Sequence, residues 1–360
     1  MRKEFRDEEG LSSEEKIERA YERFGIVHKE LGLKIKDVEL RPRLLVIAMG
    51  LIGMLDGALY TIMSIHYCLC GATLLRHSKN GNKIVKEYLE ELDSLKSVGV
   101  FLMTELAYGN NVVSLKTRVD YQPDTKSLIL HTPSAQARKF MPNTAYPVPK
   151  IGVVMARLHV KGDDKGVVPV VVRIREGSHA QPCHGISIVP LGHAAGWPVD
   201  HAITTFNNVV LPKDHLLLDD STTLTDDGQF DAKVQSKRKR FLNAIDAVQL
   251  GRISLSSVST EGLVVAAFIA IKYTKQRMTF SPKGPDVPIF QYRNVQKDLL
   301  GLLAAACIAR AMMAQSLQLL ESADHNKSEH FFRQVAALKV FTTYAAQEYT
   351  VISRERCGGV

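Results

Sequence analysis

The 360 residues include only five cysteines, Cys68, Cys70, Cys183, Cys307 and Cys357. The number is odd and no C-x-x-C pair occurs, so neither a disulfide framework nor a zinc site is expected, and a reducing compartment fits best. The imidazoles His179, His184, His193 and His201 lie close in sequence but lack any helix-face or knuckle spacing, and no metal is expected there. A secretory leader is also missing: the chain opens MRKEFRDEEG, charged at once, which points to an intracellular protein. Nor does any apolar run have the flanks of a confident membrane span. Leu44 to Leu75 is the most apolar region, and from Gly57 to Leu75 only His66 is strongly polar. Asp56 and the glycines Gly50, Gly53 and Gly57 interrupt it, Arg43 and Arg76 bracket it, and buried helices are expected with no membrane span.

What is present is a chain able to bury two or three cores, since 45% of its residues are hydrophobic. Its net charge is +8, with a basic cluster at Lys237, Arg238, Lys239 and Arg240. No DNA-reading motif or aromatic platform accompanies that cluster, so no nucleic-acid partner is expected. A phosphate-bearing carrier or coenzyme accounts for the charge, and so does a solvated loop.

Three textures follow one another, and together they predict an α+β fold. Residues 1–96 are helical, with Ser12 and Glu15 as a capping box and Ile17, Ala20, Phe24 and Ile26 or Val27 near one face. Residues 97–222 break into short β-type runs such as KIGVVMARLHV and GVVPVVVRI, separated by turn residues, and predict a small antiparallel β domain with a hairpin tip in Lys161 to Gly166. In residues 223–360 long helical patterns return over Phe241 to Tyr273, Pro288 to Leu320 and Glu329 to about Arg354. These make three helices of an incomplete bundle, broken at FSPKGPDVP and ESADHNKS.

The first β run ends unusually. VGVFLMTELAYGNN, Val98 to Asn111, passes from an apolar strand to a hydroxyl, an acid and a Gly-Asn-Asn loop. Ordinary turn chemistry explains such an ending without any function. In this context, however, it resembles the G-x-F-x-x-T-E-L-x-H-G-S-N motif of the acyl-CoA dehydrogenase and oxidase superfamily, in its acyl-CoA oxidase branch. Gly99, Phe101, Thr104, Glu105, Leu106, Gly109 and Asn111 stand in the motif's places, with Tyr108 and Asn110 replacing His and Ser.

The resemblance continues in register through most of the chain. IHYCLCGATLLRH is similar to V-H-x-x-L-x-G, HTPSAQARKF to N-T-P-x-x-x-A-x-K-W, and FNNVVLPKDHLL to F-x-x-V-R-I-P-R-x-N-L-L. AIKYTKQRMTFSP resembles A-I-x-Y-x-x-x-R-x-x-F-G-P, and the last helical pattern leads to the family's C-G-G turn.

The resemblance implies FAD as cofactor and an acyl-CoA as substrate, dehydrogenated to a trans-2-enoyl-CoA. It places Thr104 and Glu105 at the flavin, Gly109 beside the substrate's thioester arm, and Asn143 where the family has a glycine that meets the flavin. Arg277 and Phe280 occupy positions that reach the FAD of a neighbouring subunit, so a homodimer or larger oligomer with a shared site is implied. It implies a peroxisomal location in a eukaryote and a cytoplasmic one otherwise.

The departures from the family fall at functional places. Phe140 and Met141 replace a tryptophan pair, Ser281 a glycine and Arg293 a glutamine. The catalytic carboxylate is matched at neither family location. One falls at Gly251, and the other lies beyond the terminal Gly358, Gly359 and Val360, so no catalytic residue is assigned. Glu261, nine residues after Arg252, is two and a half turns away. The expectation is therefore a C-terminally shortened relative whose three bundle helices leave an apolar face open unless a partner covers it. The alternative is a non-catalytic relative that binds acyl-CoA or a full-length partner without turnover.

Overall fold

The structure is a computed structural model that describes residues 5, 10–78, 81–192, 196–245, 248–282, 284–322 and 329–358. Six helices come first: α1 Ser13–Leu31, α2 Asp37–Leu40, α3 Pro42–Gly53, α4 Gly57–Met63, α5 Ala72–Ser78 and α6 Lys83–Asp93, with a π-helical stretch Ser64–Gly71 joining α4 to α5. The strands follow as β1 Val98–Leu102, β2 Arg118–Gln122, β3 Ser127–His131, β4 Lys139–Phe140, β5 Lys150–Val160, β6 Asp163–Glu176, β7 Gln181–Pro182, β8 Ile186–Pro190, β9 Ala202–Phe206, β10 Val209–Pro212, β11 Thr222–Leu224 and β12 Phe230–Ala232. Then come α7 Lys237–Ala244, α8 Val248–Gln276, the short strands β13 Met278–Thr279 and β14 Val287–Pro288, and the helices α9 Arg293–Leu320 and α10 Glu329–Cys357.

Contacts divide the chain into two units, Met1–Val38 with Ala58–Val248, and Glu39–Gly57 with Gln249–Val360. The segment carrying α3 therefore groups with the last three long helices and not with its sequence neighbours.

In the first unit, α1 starts on the capping box read from the sequence. Glu15 N–H donates to Ser12 Oγ (3.2 Å) and Ser12 N–H donates to Glu15 Oε2 (2.7 Å). Ala20, Tyr21, Phe24 and Val27 form its buried face. The main sheet runs β10-β3-β2-β5-β6-β7. Most neighbours are antiparallel, as expected, but β1 and β2 both pair with β5 in parallel. Leu102, Val119, Leu130, Val154, Leu158, Val170 and Phe206 belong to the core of this unit. The hairpin tip is narrower than Lys161 to Gly166. Strand β5 turns directly into β6 through Lys161 and Gly162, whose φ values of 52° and 85° suit a tight primed turn.

The π-helical stretch packs on β1. A Cβ on Gly99 would lie 2.9 Å from Cys70 Cβ, so only glycine admits this approach. The Gly99 N–H donates to His66 Nδ1 at 3.0 Å. Burial pulls the His66 pKa down to about 3, which keeps the ring neutral and able to accept that bond.

In the second unit, α3 approaches α8 closely at Gly53, where a Cβ would meet Val258 Cγ2 at 2.6 Å. Gly50 and Gly53, two of the glycines that interrupt the apolar run, thus make a helix contact. Leu263, Ala267, Leu299, Leu302, Ala306 and Ala345 form the core among α8, α9 and α10. Three helical stretches, 57–78, 248–276 and 293–320, are long and apolar enough to cross a membrane by length and composition. The first is mostly buried against its own unit, whereas α8 and α9 leave more than half of their apolar windows outside. Between α8 and α9 an open apolar groove of about 890 Å³ is lined by Val264, Phe268, Ile271, Leu303 and Cys307, with Lys272, Lys275 and Arg310 also lining it.

The basic cluster forms the first turn of α7, capped by Ser236. Arg240 turns inward, donating to the carbonyls of Val234 (2.7 Å), Gln235 (2.9 Å) and Lys165 (2.6 Å). Lys237 Nζ lies 3.7 Å from Asp164, so half of the cluster is engaged locally.

Candidate cofactor-binding site at a split sheet edge

Strands β1 and β2 lie end to end along one edge of β5. Pairing of β1 ends at Leu102 opposite Val154, and pairing of β2 begins at Arg118 opposite Arg157. Met155 and Ala156 face the gap, and the TEL motif occupies it.

The Lys139 side chain fills that gap from β4. Its ammonium is fully buried and donates to Met103 O (3.0 Å), Glu105 Oε1 (3.1 Å) and Met155 O (2.7 Å). Glu105 in turn accepts from Thr117 N–H at Oε1 and Lys116 N–H at Oε2, both at 2.8 Å. Three donors meet the carboxylate and three acceptors meet the ammonium. A buried pair is tolerated only when its remaining hydrogen-bonding capacity is satisfied in this way. Desolvation pulls the Lys139 pKa down to about 8, while Glu105 opposes that shift.

Thr104 sits between these tethers and is partly exposed. Its carbonyl accepts from Phe140 N–H at 2.9 Å. Its hydroxyl and its N–H have no hydrogen-bond partner among the described residues. Glu105 points the other way: its carboxylate faces the interior, and the residue is 1% exposed. Gly109 lies in an open stretch where an added Cβ would meet nothing within 4 Å.

Asn143 lies three residues beyond Phe140. It is completely buried, and neither Oδ1 nor Nδ2 has a partner within hydrogen-bond geometry. The Tyr21 hydroxyl is its polar neighbour in the interior, close enough for the amide to oppose the rise of the Tyr21 pKa. The Asn143 backbone carbonyl accepts from Lys150 Nζ at 2.6 Å. Lys150 also donates to Tyr21 Oη (2.7 Å) and forms a buried ion pair with Asp200 Oδ2 at 2.5 Å. Tyr21 Oη donates to Asp200 Oδ1 at 2.9 Å, and burial followed by the Asp200 charge raises its pKa. Arg175 braces the same loop by donating to Thr144 O (2.7 Å) and Ala145 O (2.9 Å).

These framework residues were not legible in the sequence. Lys139 appeared only as the lysine of a motif, and Tyr21, Lys150, Asp200 and Arg175 gave no local signal because their partners are far away along the chain.

Arg277 and Phe280 belong to the second unit. Arg277 donates from Nη1 to Cys357 O at 2.5 Å, capping the end of α10. Phe280 follows β13 and is 74% exposed. Gly251 is in α8, and the neighbouring Arg252 donates to Gln249 Oε1 at 3.2 Å. Glu261 is committed elsewhere, accepting from Arg310 at 2.8 Å. Among the described residues no group of three His, Cys, Asp or Glu is placed to hold a metal; His193 lies outside them.

The free donors of Thr104 fit the acceptors on the polar rim of a flavin, whereas Asn143, placed there by the sequence motif, is enclosed beside Tyr21 and does not reach the open edge. Comparison with known proteins bears on the family. Residues 247–360 match the acyl-CoA oxidase C-alpha1 domain. The chain is 30% identical over 326 residues to acyl-coenzyme A oxidase 2, peroxisomal, of Arabidopsis thaliana, covering 86% of this chain and 46% of that protein. It is 26% identical over 342 residues to peroxisomal acyl-coenzyme A oxidase 3 of Homo sapiens, covering 91% of this chain and 48% of that protein.

Among solved structures, acyl-CoA oxidase-1 of Caenorhabditis elegans complexed with FAD and ATP aligns with a TM-score of 0.80 at 21% identity, over 99% of this chain and 52% of that one. Acyl-CoA oxidase-2 of the same organism, bound with FAD, ascaroside-CoA and ATP, aligns with a TM-score of 0.80 at 20% identity, over 99% and 54%. The chain spans about half the length of the relatives it matches. On its motifs, its fold and these matches, the chain belongs to the acyl-CoA oxidase branch of the acyl-CoA dehydrogenase and oxidase superfamily.

Proposed function

We propose that this chain holds FAD and an acyl-CoA and takes part in α,β-dehydrogenation of the acyl group to a trans-2-enoyl-CoA. The observation that carries this reading is the pairing of free and used groups at the sheet edge. The Glu105 carboxylate and the Lys139 ammonium are consumed internally, while the Thr104 hydroxyl and N–H are left for a ligand.

When bound, FAD would accept the β-hydride while a carboxylate base takes the α-proton. The chain's own part is to bind and orient. Thr104 would donate to the flavin's polar rim, where preorganised donors stabilise charge that develops on reduction. Asn143, enclosed beside Tyr21, would support the loop that follows β4, and the bare backbone at Gly109 leaves room for the thioester arm. Arg277 and Phe280 would serve the FAD of a neighbouring subunit, the guanidinium toward pyrophosphate and the exposed ring toward adenine or ribose, making the working form an oligomer. By analogy with the relatives named peroxisomal, that compartment is proposed in a eukaryote.

No base is assigned, because Gly251 carries no carboxylate and Glu261 is paired with Arg310. The test is to load the chain with FAD and add a saturated acyl-CoA. Bleaching of the visible flavin band with formation of enoyl-CoA supports dehydrogenation. A flavin band that persists assigns the chain to the non-catalytic reading, and a chain that retains no flavin removes both the cofactor and the reaction.

A further inference from the structure

We propose that Lys139 and Glu105 are positioning residues: the buried pair fixes the Thr104 backbone where β1 leaves the sheet, so that its free donors are held for a flavin. The inference rests on the proposed function and adds to it a division of labour inside the TEL motif. Thr104 does the binding, and the Glu105 carboxylate holds the backbone from within.

The geometry supports that division. A strand that ends in mid-sheet leaves its next carbonyls without ladder partners, and the chain beyond is free to swing. Here the register predicts that Met103 would pair next with Met155. The Lys139 ammonium reaches both of those carbonyls, at 3.0 and 2.7 Å, and replaces the missing ladder contact. Glu105 ties the other side of Thr104 to the start of β2 through the Lys116 and Thr117 amides, each at 2.8 Å. Thr104 O is held by Phe140 N–H at 2.9 Å. The residue is therefore anchored before, after and at its own carbonyl, which leaves its N–H and hydroxyl as the unpaired donors.

Stability alone does not require this pair, because a well-packed apolar pair of similar volume is often as stable as a buried ion pair. What an apolar pair does not do is grip the Met103 and Met155 carbonyls and the two amides at fixed distances. Contact between the Glu105 carboxylate and the flavin is incompatible with a group that already accepts three N–H bonds in the interior.

The test is a double-mutant comparison of FAD affinity. Four chains are titrated with FAD: wild type, Thr104→Val, the neutralised pair Lys139→Met with Glu105→Gln, and all three changes together. Amide exchange is followed in the FAD-free proteins. Both altered chains are expected to bind FAD about tenfold more weakly or worse, about 1.4 kcal/mol. The combined chain is expected to be no weaker than the weaker of the two, because pair and threonine act through one contact. The Phe140 amide is expected to lose protection in the neutralised pair.

Wild-type affinity in a folded neutralised pair, or losses that simply add, would overturn the inference and leave the proposed function standing. If the neutralised pair does not fold, Glu105→Gln alone enters the same comparison with the same two outcomes. A wild-type chain that takes up no FAD overturns the proposed function and this inference together.

Discussion

Lys150 Nζ and Asp200 Oδ2 meet at 2.5 Å with side-chain exposures of 0% and 2%, fifty residues apart in sequence. The pair joins β5 to the segment before β9, and Tyr21 from α1 donates to the same carboxylate. Replacing one partner leaves a buried charge without its counter-ion. Asp200→Asn is expected to cost about 3–5 kcal/mol in urea unfolding. Lys150→Met combined with Asp200→Leu is expected to recover most of that loss. An Asp200→Asn chain as stable as wild type would show that the pair is not buried as described.

Lys139 supplies a pH-dependent signature. Its pKa is pulled down to about 8 in the folded chain, from the ordinary lysine value near 10.5, chiefly by desolvation. The unfolded chain therefore binds the proton more tightly between about pH 8 and about pH 10.5, and the contribution of this group to stability rises with pH across that window. Below about pH 8 the contribution is constant at its lower value. The difference in unfolding free energy between wild type and Lys139→Met is expected to grow in favour of wild type from pH 8 to 10. The ammonium should titrate near pH 8 by NMR, and lower still in Glu105→Gln, which removes the opposing charge.

How legible this was in the sequence depended on the range of each interaction. The Ser12–Glu15 capping box and the hairpin turn are local chemistry: the first stands where short-range signals put it, and the second narrows from Lys161–Gly166 to Lys161 and Gly162. The parallel pairing of β1 and β2 with β5 gives no local signal, because the alternation of side chains is the same in either direction. The motif placed Thr104 and Glu105 together, yet only coordinates separate an outward hydroxyl from an inward carboxylate. The Tyr21–Asp200 bond spans 179 residues, and nothing near either residue announces it.

The contact of α3 with α8 predicts overpacking on substitution. A Cβ on Gly53 would stand 2.6 Å from Val258 Cγ2, so Gly53→Ala is expected to destabilise the second unit by about 1–3 kcal/mol. A companion Val258→Ala change should relieve much of it. Thermal melting of the two single variants and the double variant checks this, and simple additivity would contradict the contact.

Phe280 and Arg277 separate binding from folding. Because Phe280 is 74% exposed, Phe280→Ala is expected to leave the unfolding free energy within about 0.5 kcal/mol of wild type while weakening FAD retention in the oligomer. Arg277→Ala is expected to lose stability as well, by about 1 kcal/mol, because the guanidinium caps the Cys357 carbonyl. Calorimetry paired with flavin content distinguishes the two effects.

The most direct measurement of the central claim is flavin content. The purified wild-type chain is incubated with FAD, passed through gel filtration and scanned in the visible, alongside Thr104→Val. The account predicts that the wild-type chain retains FAD close to one per chain and that Thr104→Val retains markedly less. A wild-type chain that emerges colourless, or a Thr104→Val chain as yellow as wild type, would contradict it.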